Sequence, residues 1–575
     1  MQIFPSSILP AWAALQSISE TFTLFSLPPE TPRFDPTEAT IQSVHRALYA
    51  NITQKDNRLT CREVITAFLN QIDAYNPLIN AIISLDAGSL SVADELDAQL
   101  IHILNENTYN DTHKNYSSID DVPLAFNPSS LPSLFCIPVL LKDNFDTANV
   151  STTAGCAALY NSTPPLHDSP VVKALREAGA VILGKTNMHE MALEGLTVSS
   201  LGGQTLNPYD RSRTPGGSSG GTGAAIAASF AVFGLGTDTV NSLRSPASAN
   251  SLFSLRPTRG LISRAGVFPV SYTQDTVGPI ARDLDYTELL PRDQALRRND
   301  SLKGVRFGLL EGFINRTDTL ETTPVNTAID AMVSKLEKAG AVVVPIRDRI
   351  YNSTTILNLD VQVYEYREMV DSYLRSLGHA ASTGARTLAD IYAQVDGEDP
   401  SFLVIPHQYN FIQSALVSSP QNISYAQKQL SINALTLAVK QTFSSHNLDA
   451  LIYPQQQNLP VKLGSQNQYG RNGILAALTG CPVITVPAGF SRRDVFRNIP
   501  VGVPVGMEVM GLPWEEERLL SIAARIEALE KIRRPPKLKR EKGKGSGYNR
   551  VMNSVPRLVP NRLNIHDAYP LGVFE

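Results

Sequence analysis

Apolar residues in the N-terminal part of the chain recur at every third or fourth position, which is the period of a helix that buries one face. The pattern predicts a first helix within residues 39–50. A second helix is predicted to begin at Thr60, because Glu63 follows three residues later as in a capping box. We expect this helix to end ahead of Pro77, since proline interrupts helical hydrogen bonding. The polar stretch 103–130 predicts a surface loop.

From residue 135 onward, short apolar runs rich in β-branched residues alternate with helical patterns. One helix is predicted to begin at Pro170 and to end at Gly179, with a strand directly after it. The other predicted strands are residues 135–141, 228–238, 305–310, 341–346, 450–454, 482–488 and 506–511. Strands that alternate with helices indicate an α/β protein whose sheet is covered by helices on both faces.

The two ends of the chain depart from this alternation. Residues 1–34 are predicted to be an irregular leader, and a weak cleavage-site pattern leaves a signal segment open. Residues 35–536 are predicted to form the domain. Eight basic residues lie between Lys531 and Lys544, inclusive. We therefore expect residues 537–575 to be a basic, flexible tail, with a nucleic-acid or targeting patch as the alternative.

Composition narrows the function more than the fold. A formal net charge of −4 over 575 residues gives no sign of a nucleic-acid partner, and no apolar run reaches the roughly 20 residues of a membrane span. The four cysteines, Cys61, Cys136, Cys156 and Cys481, are too scattered for a disulfide framework or a zinc site. No histidine pattern has metal-ligand spacing, so we expect neither metal nor cofactor. Nine Asn-x-Ser/Thr sequons leave a secreted and a cytoplasmic location both open, and nothing indicates the oligomeric state.

Three short stretches carry candidate chemistry: PVLLKDN at 138–144, GGSSGGTG at 216–223 and GTDTVNSLR at 236–244. Lys142, at the end of an apolar run, is either a surface lysine or a buried one whose neutral form can act as a base. The glycine-rich loop can direct N–H groups at an anion, but it lacks the Gly-Lys-Ser/Thr ending of a nucleotide-binding loop. Each stretch alone leaves its function open.

Together the three stretches resemble the amidase signature family, and the resemblance extends from about residue 37 to residue 536. It implies one large domain with a central mixed β-sheet covered on both faces by helices. It also implies hydrolysis of a carboxylic amide C–N bond in a small-molecule substrate through a seryl acyl-enzyme, without a cofactor. The further stretches that carry it are AYNPLINAII (74–83), LREAGAVILGKTNMHE (175–190), QTLNPYDRSRTP (204–215) and GRNGILAALTGCPVITVPAGF (470–490).

The resemblance assigns a Ser–Ser–Lys triad to this sequence. Ser242 matches the nucleophile, Ser218 the bridging serine and Lys142 the base. A serine hydroxyl needs a base within hydrogen-bond reach, and a lysine kept neutral by burial can take its proton through a second hydroxyl. In the family the peptide bond of the bridging serine is cis, and Gly217 precedes Ser218 here.

The resemblance also assigns an oxyanion hole to the backbone N–H groups of Thr239, Val240, Asn241 and Ser242. The family usually has two glycines where this chain has Val240 and Asn241. Because a β-branched residue resists positive φ, we expect Val240 to keep a negative φ. Both side chains are then expected to narrow the acyl pocket.

Four neighbouring residues are predicted to support the loops rather than to react. Gly217 and Ser219 belong to the glycine/serine loop, and Asp238 and Arg244 are expected to brace the nucleophile segment through hydrogen bonds. Cys136 stands where the family often has glycine, and we interpret it as a small buried residue.

Two alternatives to an amidase are open. Family members usually carry a further helix and loop near residues 282–291, where this chain passes almost directly to the next strand. This departure and the Val-Asn pair favour an amidase-fold binding protein without turnover as one alternative. The other is a protein that resembles the A subunit of an amidotransferase, which would require a partner subunit.

Overall fold

The structure is a computed structural model. It describes residues 34–50, 58–111, 131–160, 162–284, 301–376, 384–393, 405–492, 499–539, 552–560 and 562–569, without the side chains of 105–111. The predicted leader 1–34, except Phe34, and most of the atypical segment 282–291 lie outside these residues.

A mixed sheet of eleven strands runs through the domain in the order β1-β3-β2-β6-β8-β7-β12-β13-β11-β9-β10, and β4 and β5 form a separate pair. The strands are β1 Ile82–Leu85, β2 Pro138–Lys142, β3 Val181–Thr186, β4 Val198–Ser199, β5 Gly203–Gln204, β6 Phe233–Asp238, β7 Phe253–Arg256, β8 Thr276–Ala281, β9 Arg306–Leu310, β10 Val342–Ile346, β11 Ala450–Pro454, β12 Val483–Phe490 and β13 Pro504–Met510. Strands β3, β2 and β6 are parallel neighbours, as are β11, β9 and β10, whereas the other pairs are antiparallel.

Helices flank this sheet, which confirms the predicted α/β class with a central mixed sheet. They are α1 Ile41–Tyr49, α2 Cys61–Ile79, α3 Ser89–Asp111, α4 Pro170–Glu177, α5 Gly220–Ala227, α6 Arg244–Ala249, α7 Thr323–Lys338, α8 Ser353–Leu357, α9 Gln362–Ser376, α10 Leu388–Ala393, α11 Pro406–Leu416, α12 Ile423–His446, α13 Ile474–Thr479 and α14 Glu516–Leu529. In the described parts of the chain, no helix combines the length and the apolar character needed to cross a membrane.

Most predicted elements occur where the pattern indicated, with two corrections near the N-terminus. Helix α2 begins with the predicted capping box of Thr60 and Glu63, but it continues through Pro77 and ends on Asn80, which has a left-handed φ of 52°. A proline in the last turn forfeits only the hydrogen bond of its own nitrogen, so the prediction of an earlier end was wrong. The predicted loop 103–130 was also wrong over its first residues, because α3 extends to Asp111.

A disulfide joins Cys61, the first residue of α2, to Cys136, which lies just before β2. The sequence spacing, which argued against a disulfide framework, did not indicate this single pair. Pairing depends on Cα separation in the fold, which is 5.6 Å here across 75 residues of sequence. Cys136 also has a φ of 60°, a conformation that favours glycine. Cys156 and Cys481 are free and buried.

Part of the predicted tail lies against the domain. The Leu563 carbonyl accepts a hydrogen bond from the Gln204 N–H at 2.8 Å, and the buried Tyr569 side chain packs in an apolar cluster with Val198 and Val461. The expectation of a flexible tail therefore does not describe residues 562–569.

Candidate active site

Two parallel neighbours, β2 and β6, end at the same edge of the sheet and place the predicted base beside the nucleophile segment. Lys142 is the last residue of β2, and Asp238 is the last residue of β6. The register pairs Leu141 with Leu235, so both strands reach the edge together. Both are apolar and almost wholly buried, which explains why a lysine at the end of β2 enters the interior.

Lys142 is fully buried and bonds to two hydroxyl groups. Its Nζ donates to Ser218 Oγ and to Thr237 Oγ1, each at 2.7 Å. Burial lowers the pKa of Lys142 to about 7, although the nearby carboxylates of Asp238 and Asp275 favour its charged form. The sequence left open whether Lys142 is a surface lysine or a buried one, and in the structure it is buried.

The glycine/serine loop presents Ser218 to this lysine. The peptide bond between Gly217 and Ser218 is cis, as the resemblance implies, and the Ser218 carbonyl accepts a hydrogen bond from the His189 N–H at 3.0 Å. A Cβ on Gly217 would lie 2.7 Å from Thr197 Oγ1, so the loop packs too closely for a side chain there. Ser219 faces β6.

Ser219 joins the glycine/serine loop to the nucleophile segment 236–244 at two points. Its Oγ donates to the Thr237 carbonyl at 3.2 Å and accepts from the Thr237 N–H at 3.3 Å. Its backbone N–H donates to the Ser242 carbonyl at 3.3 Å. These three hydrogen bonds agree with the predicted support role of Ser219.

Ser242 follows β6 in a tight turn that leads into α6, and its residue is 7% exposed. No hydrogen bond among the described residues joins its Oγ to Ser218 Oγ. The structure therefore brings Lys142 and Ser218 into direct contact, and it places Ser242 next to them through the backbone contact with Ser219.

The backbone of the predicted oxyanion segment has occupied carbonyls and free N–H groups. The carbonyls of Thr239, Val240, Asn241 and Ser242 accept hydrogen bonds from Gln274, Arg244, Ser245 and Ser219. The N–H groups of residues 239–242 donate to no other residue that the structure describes. Unpaired N–H groups in a buried segment are rare, so these four donors are unusual.

Val240 and Asn241 occupy the two glycine positions of the family without a positive φ, so the expected negative φ at Val240 is confirmed. Val240 packs in a buried apolar cluster that includes Ile474, and Asn241 Nδ2 donates to Gln468 Oε1 at 3.4 Å. Gly473 makes room for the pair, since a Cβ there would lie 2.5 Å from the Val240 carbonyl. The narrowing of the acyl pocket by these side chains stays a prediction.

A buried ion-pair network braces the turn, as predicted for Asp238 and Arg244. Asp238 accepts from Arg244 Nε at 3.1 Å, from Arg256 Nη1 at 2.6 Å and from the Leu243 N–H at 3.0 Å. Burial raises the pKa of Asp238, but the two guanidinium groups outweigh it and hold the pKa well below its usual range. Arg244 also pairs with Glu508 at 2.7 Å. The charges of Asp238 and Arg244, which stabilise the turn, are therefore balanced by partners of opposite charge.

Sequence reasoning did not single out Thr237, Asp275 or Gln468, which all contact the site. Thr237 accepts from Asn144 Nδ2 at 3.0 Å as well as from Lys142. The only signal in the sequence was that Thr237 directly precedes Asp238, so that in a strand its side chain points to the opposite face of the sheet. Asp275 and Gln468 lie in other segments, and only the fold brings them here.

The groups that meet at this site are hydroxyl, amine, amide and backbone N–H groups, a set suited to proton transfer and to anion binding. Among the described residues, no three His, Cys, Asp or Glu side chains are grouped so that they could hold a metal ion. A cleft of about 610 Å³ lies away from these residues and is lined by Asp86, Asp168 and Arg176 among others. We assign it no role in the chemistry.

The sequence profile of the family described as Amidase matches residues 121–520. The chain is 30% identical to a probable amidase of Arabidopsis thaliana over 541 residues, which cover 87% of this chain and 91% of the relative. It is 30% identical to mandelamide hydrolase of Pseudomonas putida, with 84% and 90% covered. The A subunit of glutamyl-tRNA(Gln) amidotransferase of Deinococcus radiodurans is also 30% identical, with 68% of this chain and 84% of that subunit covered.

Solved structures give the same result for the fold. Native peptide amidase of Stenotrophomonas maltophilia superposes with a TM-score of 0.67 at 28% identity, covering 87% of this chain and 98% of that one. Peptide amidase in complex with the competitive inhibitor chymostatin superposes with a TM-score of 0.69 at 29% identity, covering 87% and 99%. The extent of these matches shows that the chain belongs to the amidase signature family and is a hydrolase acting on carbon–nitrogen bonds.

Proposed function

We propose that this protein hydrolyses a carboxylic amide through an acyl-enzyme on Ser242, with Ser218 and Lys142 as the proton relay. The observation that carries the proposal is the 2.7 Å hydrogen bond from the fully buried Lys142 Nζ to Ser218 Oγ. A lysine whose pKa burial lowers to about 7 is neutral in half of the molecules at that pH, and its lone pair can accept a proton.

The proposed acylation begins with two linked proton transfers and the formation of one bond, between Ser242 Oγ and the amide carbon. Ser242 Oγ attacks the amide carbon while its proton passes to Ser218 Oγ and the Ser218 proton passes to Lys142 Nζ. The electron pair of the carbonyl moves to its oxygen, where the free N–H groups of residues 239–242 can bind it. The carbonyl then re-forms while the C–N bond breaks, and the relay runs in reverse so that the proton on Lys142 reaches the leaving amine or ammonia. Water then attacks the acyl-enzyme through the same relay, which breaks the ester bond to Ser242 and releases the carboxylic acid.

The relay requires one contact that the structure does not contain, a hydrogen bond between Ser242 Oγ and Ser218 Oγ. The segments that carry the two serines are already joined by the 3.3 Å contact from the Ser219 N–H to the Ser242 carbonyl. Catalytic hydrogen bonds often shorten only when substrate binds, and a rotation of the Ser242 side chain would form this one.

The test is covalent labelling with a fluorophosphonate, followed by mass spectrometry of the labelled peptide. We expect the label on Ser242, no label on the Ser242→Ala variant and slower labelling of Ser218→Ala and Lys142→Ala. Ser254→Ala is the matched control, because Ser254 is also buried and its hydroxyl has no described partner. Folded protein that takes no label would contradict the proposal and support a binding protein without turnover.

We propose that the substrate is a small carboxylic amide, because the relatives include mandelamide hydrolase and peptide amidase. Release of ammonia or amine from primary amides, fatty amides and short peptide amides, measured with the purified chain alone, would identify the class. Release that requires an added partner subunit would instead favour the amidotransferase alternative.

A further inference from the structure

We infer that Asp275 is a positioning residue that stabilises the protonated form of Lys142 during the reaction and holds Thr239 at the start of the oxyanion segment. The inference rests on the proposed function, because it concerns the proton that Lys142 receives there. It adds a carboxylate to a site that the family resemblance describes with two serines and a lysine.

The position of Asp275 follows from the sheet. It directly precedes β8, and β8 pairs antiparallel with β6 so that Thr276 lies opposite Asp238. Asp275 therefore reaches the same edge as the ends of β6 and β2. A small cavity of about 50 Å³ is lined by Asp275, Thr239 and Thr237, and Thr237 is bonded to Lys142.

The carboxylate of Asp275 is held by neutral donors. Its Oδ1 accepts from Thr239 Oγ1 at 2.6 Å, and its Oδ2 accepts from the N–H groups of Val270 and Ser271 at 2.8 and 2.9 Å. Burial raises the pKa of Asp275, whereas these hydrogen bonds oppose that rise because they stabilise the ionised form. The Thr239 contact also ties the carboxylate to a residue with a free N–H group.

The charge of Asp275 differs from that of Asp238 in being uncompensated. Asp238 has two guanidinium partners, those of Arg244 and Arg256. Asp275 has no ion pair within 4 Å among the described residues, and Arg264 donates to its backbone carbonyl rather than to its carboxylate. Of the two acidic side chains that act on Lys142, Asp275 therefore has the negative charge left to balance an ammonium.

The remaining titratable groups around the pair do not replace this charge. His189 acts on Lys142, but burial lowers the pKa of His189 to about 4, so it is neutral at neutral pH. Tyr366 is near Asp275, and burial holds its pKa well above its ordinary value, so its phenol is also uncharged. Arg264, in the loop before β8, also favours the ionised form of Asp275, although it forms no ion pair with the carboxylate.

The inferred role follows from the proton balance of acylation. When Lys142 has received the proton, the site contains a buried ammonium and an oxyanion. An ammonium in a water-poor site is costly unless an opposite charge is close. Asp275 supplies that charge, and its hydrogen bond to Thr239 fixes the segment whose N–H groups face the oxyanion.

The test is the pH dependence of the rate at which a fluorophosphonate labels Ser242, measured on the wild type, Asp275→Asn and Asp275→Glu. In Asp275→Asn we expect slower labelling at the optimum. Removing the negative charge lowers the pKa of Lys142. The acidic limb of the pH profile, where the labelling rate rises with pH, should therefore move to lower pH by about one unit. Asp275→Glu retains the charge and should keep the limb in place.

Asp97→Asn is the matched control, because Asp97 also accepts two backbone N–H bonds, from Cys61 and Arg62, away from this site. It should leave the acidic limb unchanged. A folded Asp275→Asn protein whose acidic limb stays at the wild-type pH would overturn the inference. Failure of the wild type to label would instead contradict the proposed function, so the two failures are distinguishable.

Discussion

Burial removes the hydration shell of the Lys142 ammonium group and sets the pH at which the residue can act. The effect lowers its pKa to about 7 even though Asp238 and Asp275 oppose it. Ser218 and Thr237 each offer a hydroxyl at 2.7 Å, so the neutral amine keeps its partners without regaining water. In the proposed mechanism, Lys142 acts as a base because of its burial in the fold rather than because of its neighbours in sequence.

This environment predicts the pH profile. Labelling of Ser242 should rise with pH through about 7, because only neutral Lys142 accepts the proton, and it should fall about tenfold for each pH unit below that. Lys142→Met should slow labelling by about 10²–10⁴-fold. The rates are measured by quenched labelling at a series of pH values.

Lys185→Met provides the control for this profile. Lys185 is a second fully buried lysine, paired with Asp143 at 3.8 Å, and burial also lowers its pKa. Its loss should leave the acidic limb in place. If the acidic limb is lost in Lys185→Met and kept in Lys142→Met, the assignment of Lys142 as the base is wrong.

At the scale of the elements, strand pairing and a disulfide together fix the position of β2, which carries Lys142 at its end. Parallel pairing with β3 and β6 fixes where β2 ends, and the disulfide from Cys136 to Cys61 ties the entry of β2 to the start of α2. The constraint is covalent and spans 75 residues of sequence. It stabilises the fold mainly by restricting the unfolded chain.

Replacing both bridged cysteines by serine should lower the free energy of unfolding by about 2–5 kcal/mol. Urea unfolding followed by circular dichroism measures the change. The control is Cys156→Ser with Cys481→Ser, which alters two buried thiols without breaking a cross-link. An equal loss in both double variants would show that burial of sulfur, and not the disulfide, stabilises this part of the protein.

At the scale of the whole molecule, the described residues 562–569 pack against the domain. Tyr569 is 2% exposed and donates its hydroxyl to the Ser465 carbonyl, and His566 lies against Gly464. Three residues after Ser465, Gln468 accepts the hydrogen bond of Asn241. The C-terminal residues thus support the loop that reaches the nucleophile segment.

Tyr569→Ala should therefore destabilise the protein by about 3 kcal/mol, through the lost ring and the unpaired carbonyl of Ser465. The measurement is the midpoint of urea unfolding. Tyr160→Ala serves as the control, since Tyr160 is 40% exposed and its loss should cost about 1 kcal/mol or less. Similar midpoints for both variants would mean that residues 562–569 contribute nothing to stability.

Several elements, such as β6, α4 and α7, could be read from the sequence, because apolar runs and a 3.6-residue period are local patterns. The same patterns did not indicate β8 or α9. The triad of Lys142, Ser218 and Ser242 is predicted from the resemblance of three motifs to the amidase signature family. The capping box at Thr60 is local too, and it is confirmed.

What required the folded chain were contacts between residues far apart in sequence. The sheet order places Asp275 beside the ends of β2 and β6, and it brings Cys136 within reach of Cys61. The docking of the C-terminal residues and the Gln468 contact to Asn241 are of the same kind. Periodicity cannot encode such contacts, because each depends on which strands become neighbours and on how far the chain between them must travel.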